Sequence, residues 1–226
     1  MLELVYAGGW WMAPILLGSV ISLGIIIERA WALRASRVVP RGVVEELEQL
    51  VQCGELSSER LRTISLRSPL GRVLAAGVVP YALSREEMKA RIEDAGRHVA
   101  HDLECCLTTL GTIAVISPLL GLLGTVVGMI MTFEVITSQG LGQPADLAGG
   151  ISTALLTTAA GLIVAVPTVI AHRAFRAKLD RLIIDMEREA MRLLDGLAAA
   201  EARVHDESEP QAPAAVAEAR HWTASQ

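Results

Sequence analysis

The sequence predicts an all-α integral membrane protein with three transmembrane helices, the second and third extending far into the cytoplasm. Three observations predict it. First, residues 110–133 (LGTIAVISPLLGLLGTVVGMIMTF) and 147–171 (LAGGISTALLTTAAGLIVAVPTVIA) form runs of 24 and 25 residues without Asp, Glu, Lys, Arg or His. At about 1.5 Å per residue, either reaches about 36 Å as a helix, enough to cross a bilayer with some tilt. Second, a shorter apolar run, MAPILLGSVISLGIII, precedes them at residues 12–27. Third, helical patterning continues without proline from residue 85 into the second run and from residue 171 to residue 195 beyond the third. A chain that is 52% hydrophobic, with mean hydropathy +0.43, agrees with this class.

In chain order, residues 1–11 are expected to be a short N-terminus on the outer side, periplasmic by the resemblance given below, and residues 12–28 the first span. Trp10 and Trp11 before this run and Trp31 beyond it suit interfacial positions. Residues 1–11 contain Glu3 and no Lys or Arg, so the positive n-region of a cleaved signal peptide is missing and an uncleaved span is expected. Residues 29–109 form a cytoplasmic helical loop. Within it, residues 41–51 read as a short amphipathic helix (Val43, Val44, Leu47, Leu50, Val51), and residues 57–79 as further short helices broken by Pro69 and Pro80.

Ser84-Arg-Glu-Glu87 has the form of a capping box, which starts the helix that becomes the second span, residues 110–133. Residues 134–146 are a periplasmic turn, with Asp146 expected as N-cap of the third span, residues 147–171. Leu179, Leu182, Ile183, Met186, Ala190, Leu193, Leu194 and Leu197 then repeat near 3.6, giving an apolar stripe on an otherwise charged cytoplasmic helix, residues 172–200. That stripe needs a covering surface, most simply the extended second helix and a neighbouring subunit. Residues 201–226, rich in Ala, Glu and Pro, are expected to be disordered.

Charge placement sets the topology. Residues 1–27 and 134–146 hold no Lys or Arg; residues 28–109 hold 12 and residues 172–226 hold 8, the whole complement. The positive-inside rule then places the N-terminus outside and the C-terminus in the cytoplasm. Cys53, Cys105 and Cys106 all fall on the reducing side, where structural disulfides are not expected. His98, His101 and Cys105 share a helical face, but they are an incomplete metal set among charged residues and read as a solvated or interface face. With no nucleophile–base pairing, phosphate loop or nucleic-acid patch, the chain reads as neither enzyme nor nucleic-acid binder, and no cofactor is expected.

The two long runs are unusual in their hydroxyls and glycines. At 100° per residue, Ser117, Gly121, Thr125, Gly128 and Thr132 share an arc of about 80°, and Ala154, Thr158, Gly161, Ala165, Thr168 and His172 share another. Such faces serve close helix packing, with hydroxyls bonding to their own backbone, or they line a water-accessible pathway. Pro118 and Pro167 are tolerated kinks or a source of free carbonyls facing a cavity. None of the three spans contains an acid, so a proton path along these faces would need its titratable group from another chain. Glu134, just past the second span, reads as an outer-surface residue.

Ala114-x3-Pro118-x2-Gly121-Leu-x-Gly124-Thr125-Val-x-Gly128 resembles the second-span signature of the MotA/TolQ/ExbB proton-channel family. Gly150-Ile-Ser-Thr-Ala154-Leu-Leu-x-Thr158-Ala-x-Gly161-Leu-x-x-Ala165-Val-Pro167 resembles its third-span signature. The three-span layout is similar to ExbB and TolQ. The resemblance covers residues 1–200 and implies a homo-oligomer, a pentamer in ExbB-like proteins, around a dimeric single-span partner of the ExbD/TolR type that supplies the membrane Asp. It implies that proton flow through this interface in the inner membrane drives a TonB- or TolA-like protein. It also implies that Thr125 and Thr158 line the pathway. Ser117, Gly121, Gly128, Thr132, Ala154, Gly161 and Ala165 then serve as packing or secondary lining, and His172 as a candidate for the pore exit. Where the best-known ExbB pattern has Glu, this chain has Thr153. A non-conducting membrane scaffold is the alternative from a different class.

Overall fold

The computed structural model describes residues 10–53, 55–78, 84–139 and 144–208. Seven helices carry them: α1 Met12–Ala32, α2 Ala35–Val38, α3 Val43–Gln52, α4 Ser58–Arg67, α5 Pro69–Gly77, α6 Arg85–Gln139 and α7 Pro144–Ser208. Among the described residues there is no strand. Helices α1, α6 and α7 each contain a segment long and apolar enough to cross a membrane. With 55 and 65 residues, α6 and α7 extend about 80 and 100 Å, against about 30 Å for a bilayer core. More than half of each therefore projects beyond the apolar layer.

Local signals explain the boundaries. Ser84 caps α6 reciprocally: its Oγ accepts from the Glu87 amide at 3.3 Å, and Glu87 Oε2 accepts from the Ser84 amide at 3.1 Å. Ser57 and Ser68 cap α4 and α5 by accepting from the Arg60 and Gly71 amides, and Pro69 occupies the first turn of α5, where its missing N–H costs nothing. Gly42, at φ +90°, makes the left-handed entry into α3. One expectation is corrected. The third long helix begins at Pro144 rather than being capped by Asp146. Proline is preorganised for a first turn, and Asp146 falls inside the helix rather than ahead of it.

The core lies outside the apolar layer. There α3 and α5 fold against the projecting halves of α6 and α7, and α4 packs on α5, burying Leu47, Ile64, Leu70, Leu74, Ile92, Val99, Leu107, Leu182, Leu193 and Leu194. The apolar stripe of α7 is thus covered by short helices of its own chain as well as by α6. Exposed ion pairs fix the register of the bundle: Arg72–Asp102 at 2.7 Å, Arg85–Asp195 at 2.5 Å, Arg192–Glu45 at 3.1 Å, and Arg176–Glu104. Each contributes about 0–1 kcal/mol. In the apolar layer the outward faces are bare. Leu119, Leu122, Val126, Ile130, Leu155, Leu162, Ile163 and Ile170 are all exposed, as lipid-facing or subunit-facing positions require.

Where α1 leaves the apolar layer, Arg29 is almost fully buried. Its Nη1 donates to the Leu103 carbonyl at 2.8 Å, its Nη2 to Cys106 Sγ at 3.3 Å and its Nε to Glu28 Oε2 at 2.7 Å. Deeper in the layer, Gly18 of α1 faces Ile113 and Ser117 of α6.

Candidate functional site

The candidate site is the antiparallel pairing of α6 and α7 within the apolar layer. Glycines set its closeness. A Cβ on Gly161 would lie 2.6 Å from the Ser117 carbonyl oxygen, and one on Gly121 would lie 3.0 Å from Thr158 Cα. A Cβ on Gly128 would lie 2.9 Å from Ala154 Cβ, while Gly124 lies against Thr157 and Gly150 against Thr132. Small residues at this spacing let membrane helices meet backbone to backbone. A seam with no room for a methyl group has none for a file of water.

Hydroxyls in the seam are spent on carbonyls. Ser117 donates to Ile113 O (2.8 Å), Thr132 to Gly128 O (2.9 Å), Thr157 to Ala154 O (2.9 Å) and Thr168 to Val164 O (2.6 Å). These four are buried, Thr157 completely. Thr158 bonds across between the helices: its Oγ1 donates to the Gly121 carbonyl at 3.0 Å.

The small residues named from the sequence divide accordingly. Ser117, Gly121, Gly128 and Thr132 of α6 and Ala154, Gly161 and Ala165 of α7 are buried in or beside the seam. Thr125 is only partly buried and donates to Leu122 O at 2.6 Å. Thr158 is likewise partly buried. These two threonines sit at the margin of the seam, one turn apart in level, because the Gly121 carbonyl that accepts from Thr158 also faces the Thr125 amide in the helical ladder. Pro118 and Pro167 lie inside α6 and α7 and lack the N–H that would reach the Ala114 and Ile163 carbonyls.

At the charged end of the seam the His172 ring covers Gly111: a Cβ there would lie 3.0 Å from His172 Nε2. Thr153, partly buried, donates to Gly149 O at 3.0 Å. His98, His101 and Cys105 are exposed on α6, with His98 Nε2 3.8 Å from Asp94.

The pairing region is also where the chain matches known proteins. The family model described as the MotA/TolQ/ExbB proton channel family matches residues 65–188, which include both long spans and the seam between them. The chain belongs to the MotA/TolQ/ExbB proton channel family. Among relatives of this family, the biopolymer transport protein exbB1 of Vibrio cholerae is 32% identical over 77% of this chain and 78% of its own length. The biopolymer transport protein ExbB of Aquifex aeolicus is 30% identical over 64% of this chain and 93% of its own. The Tol-Pal system protein TolQ of Pseudomonas aeruginosa is 38% identical over 45% of this chain and 38% of its own. The proton channel family and three membrane-length helices together make this a multi-pass membrane protein of a channel class.

Three seam residues lie outside the two faces drawn from the sequence: Gly124 and Gly150, which enter there only through the span signatures, and Thr157. On the helical wheel Gly124 lies about 20° from Ser117, on the side away from Thr125, so the buried arc is centred nearer Gly124 than the hydroxyl count suggested. Thr157 lies about 100° from Thr158, so the arc that buries Thr157 leaves Thr158 at its margin. The available signal was glycine rather than hydroxyl, since Gly121, Gly124 and Gly128 mark the line of closest approach.

Proposed function

We propose that the protein is the channel-forming subunit of an energy-coupling motor driven by the proton-motive force in a bacterial inner membrane. In this reading it is ExbB-like and powers TonB-dependent transport across the outer membrane. Its N-terminus is periplasmic and its C-terminus cytoplasmic, since every Lys and Arg lies in the two segments that share one side of the membrane. The single observation that carries the mechanism is the absence of any ionisable side chain in residues 110–133 and 147–171. A proton in transit needs a titratable group. An ExbD/TolR-like single-span partner supplies it as a membrane Asp, enclosed by a ring of copies of this chain, a pentamer.

Because the α6–α7 seam is closed and its hydroxyls are occupied, the path runs along the margin that carries Thr125 and Thr158. Both hydroxyls can accept a hydrogen bond from water while donating to a carbonyl. They orient water beside the partner's Asp and carry no charge themselves. His172, next to Gly111 at the cytoplasmic end, receives protons leaving the margin. Thr153, where the ExbB pattern has Glu, leaves titration to the partner.

A TolQ-like role in envelope integrity, coupled to a TolA-like protein, is the second reading, favoured by the 38% identity to TolQ over 102 residues. Proton flux into proteoliposomes holding this protein with an Asp-bearing single-span partner tests the channel reading. Flux that requires both chains and falls on Thr125→Val or Thr158→Val supports it. An assembled complex that conducts nothing would leave a membrane scaffold.

A further inference from the structure

We propose that the junction between α1 and α3 holds a binding site for the headgroup of an anionic phospholipid. The site is a concavity of about 330 Å³ whose lining includes Ser36, Arg37, Arg41, Glu46 and Arg67. Its charge is unbalanced. Glu46 is held by Arg67 at 3.1 Å, so Arg37 and Arg41 remain, and among the described residues neither they nor the adjacent Arg34 pairs with a carboxylate. Further along the bundle, Arg72, Arg85 and Arg192 each hold a carboxylate within 3.1 Å. Uncompensated guanidinium groups beside a serine hydroxyl present a fork of donors matched to a phosphate diester.

Depth and shape favour a lipid over a free anion. The Arg37 guanidinium carbon sits 3.3 Å from the centroid of the Trp31 ring. Trp31 is in the last turns of α1, where the apolar run ends, and tryptophan belongs at headgroup level. Arg37 therefore joins the concavity to the membrane surface. From Trp31 an exposed apolar stripe runs back along α1 through Ile27, Leu23 and Val20, which at successive spacings of four, four and three lie on one helix face. An acyl chain can lie along that stripe while the phosphate meets Arg37 and Arg41.

The test uses full-length protein in nanodiscs of equal parts phosphatidylglycerol and phosphatidylcholine, with retained lipids counted by native mass spectrometry. Selective retention of phosphatidylglycerol is expected. The Arg37→Gln/Arg41→Gln pair should lower it roughly tenfold or more, at about fivefold per cation removed near a membrane surface. Arg62→Gln/Arg181→Gln removes the same charge from exposed sites elsewhere and should leave retention unchanged. An equal loss in both pairs would reduce the effect to diffuse surface charge and overturn the site. Displacement of the lipid by millimolar inorganic phosphate would also overturn it, in favour of a free-anion site. An independent measurement needs no arginine change: with the other three tryptophans replaced by Phe, brominated phosphatidylglycerol should quench Trp31 more than brominated phosphatidylcholine. Equal quenching refutes the proposal.

Discussion

Thr158 donates its hydroxyl to the Gly121 carbonyl 3.0 Å away, across the pair of long helices. The bond ties a hydroxyl of the third span to the backbone of the second, one turn below Thr125. It places Thr158 in two roles at once, as a link between helices and as part of the proposed path. These roles separate by size of effect. Interhelical hydrogen bonds in membranes are worth about 0.6 kcal/mol on average, so Thr158→Val should lower stability only slightly. Proton flux with the Asp-bearing partner should fall on the order of tenfold or more, because an isosteric methyl cannot hold the water that a hydroxyl orients. Thr158→Ser should retain most of the flux. Full flux in an assembled Thr158→Val complex would take this residue out of the path.

Closeness of the seam has its own test. Gly161→Ala puts a methyl 2.6 Å from the Ser117 carbonyl, against backbone that cannot rotate away. The helices must separate, at about 1–3 kcal/mol. Gly24, on the outward side of α1, has nothing within 4 Å of its Cβ direction. Gly24→Ala should therefore be neutral or slightly stabilising, since alanine restricts the unfolded backbone. Thermal unfolding in one detergent compares the two. Equal midpoints would mean that the seam yields, and the packing account would then fail.

The environment of Arg29 separates two adjacent cysteines. Cys105 is exposed, whereas Cys106 is half-buried with Arg29 Nη2 3.3 Å from its sulfur. In a Cys53→Ser background, a maleimide should label Cys105 well before Cys106. Arg29→Ala removes the donor and opens the junction of α1 with α6, so Cys106 should then approach the rate of Cys105. It should also cost stability, about 1.5–3 kcal/mol for a charged donor taken from a buried site. Peptide mapping of time-resolved labelling reads both rates, and equal labelling in the unaltered protein contradicts the arrangement.

The fold class was legible because the strongest signals were also the simplest. Two runs without charge had no stable place except a membrane, and Ser84 with Glu87 marked the start of a helix that nothing interrupts before Pro118. The stripe from Leu179 to Leu197 was legible as buried. Its full covering was not, because residues 43–77 hold three short helices whose docking depends on burial shared across distant sequence, as where Leu47 and Leu74 join Leu193 and Leu194 in one core. The seam was legible as a small face, but its line of closest approach was not. Hydroxyls attract attention as chemistry, yet close approach is decided by the missing side chains of Gly121, Gly124 and Gly128. That turns Thr157 inward and leaves Thr125 at the margin. The unpaired arginines near Trp31 could be counted in the sequence, but the carboxylate of Glu46, spent on Arg67 instead, could not.

Stability of the polar bundle should rest on its apolar core rather than on its ion pairs. Leu193 is fully buried among the short helices, whereas Arg85 and Asp195, 2.5 Å apart, are each more than half exposed. Leu193→Ala removes three heavy atoms from a closed site and should cost about 2–5 kcal/mol, the upper end applying if the bundle cannot collapse around the cavity. Arg85→Gln removes a screened pair and should cost no more than about 1 kcal/mol, falling further as salt is raised. Denaturant unfolding in a fixed detergent, followed by helicity, should rank the two in that order. If Arg85→Gln proved the more damaging, the ion pairs would be holding α6 to α7, and the apolar stripe of α7 would be secondary to them.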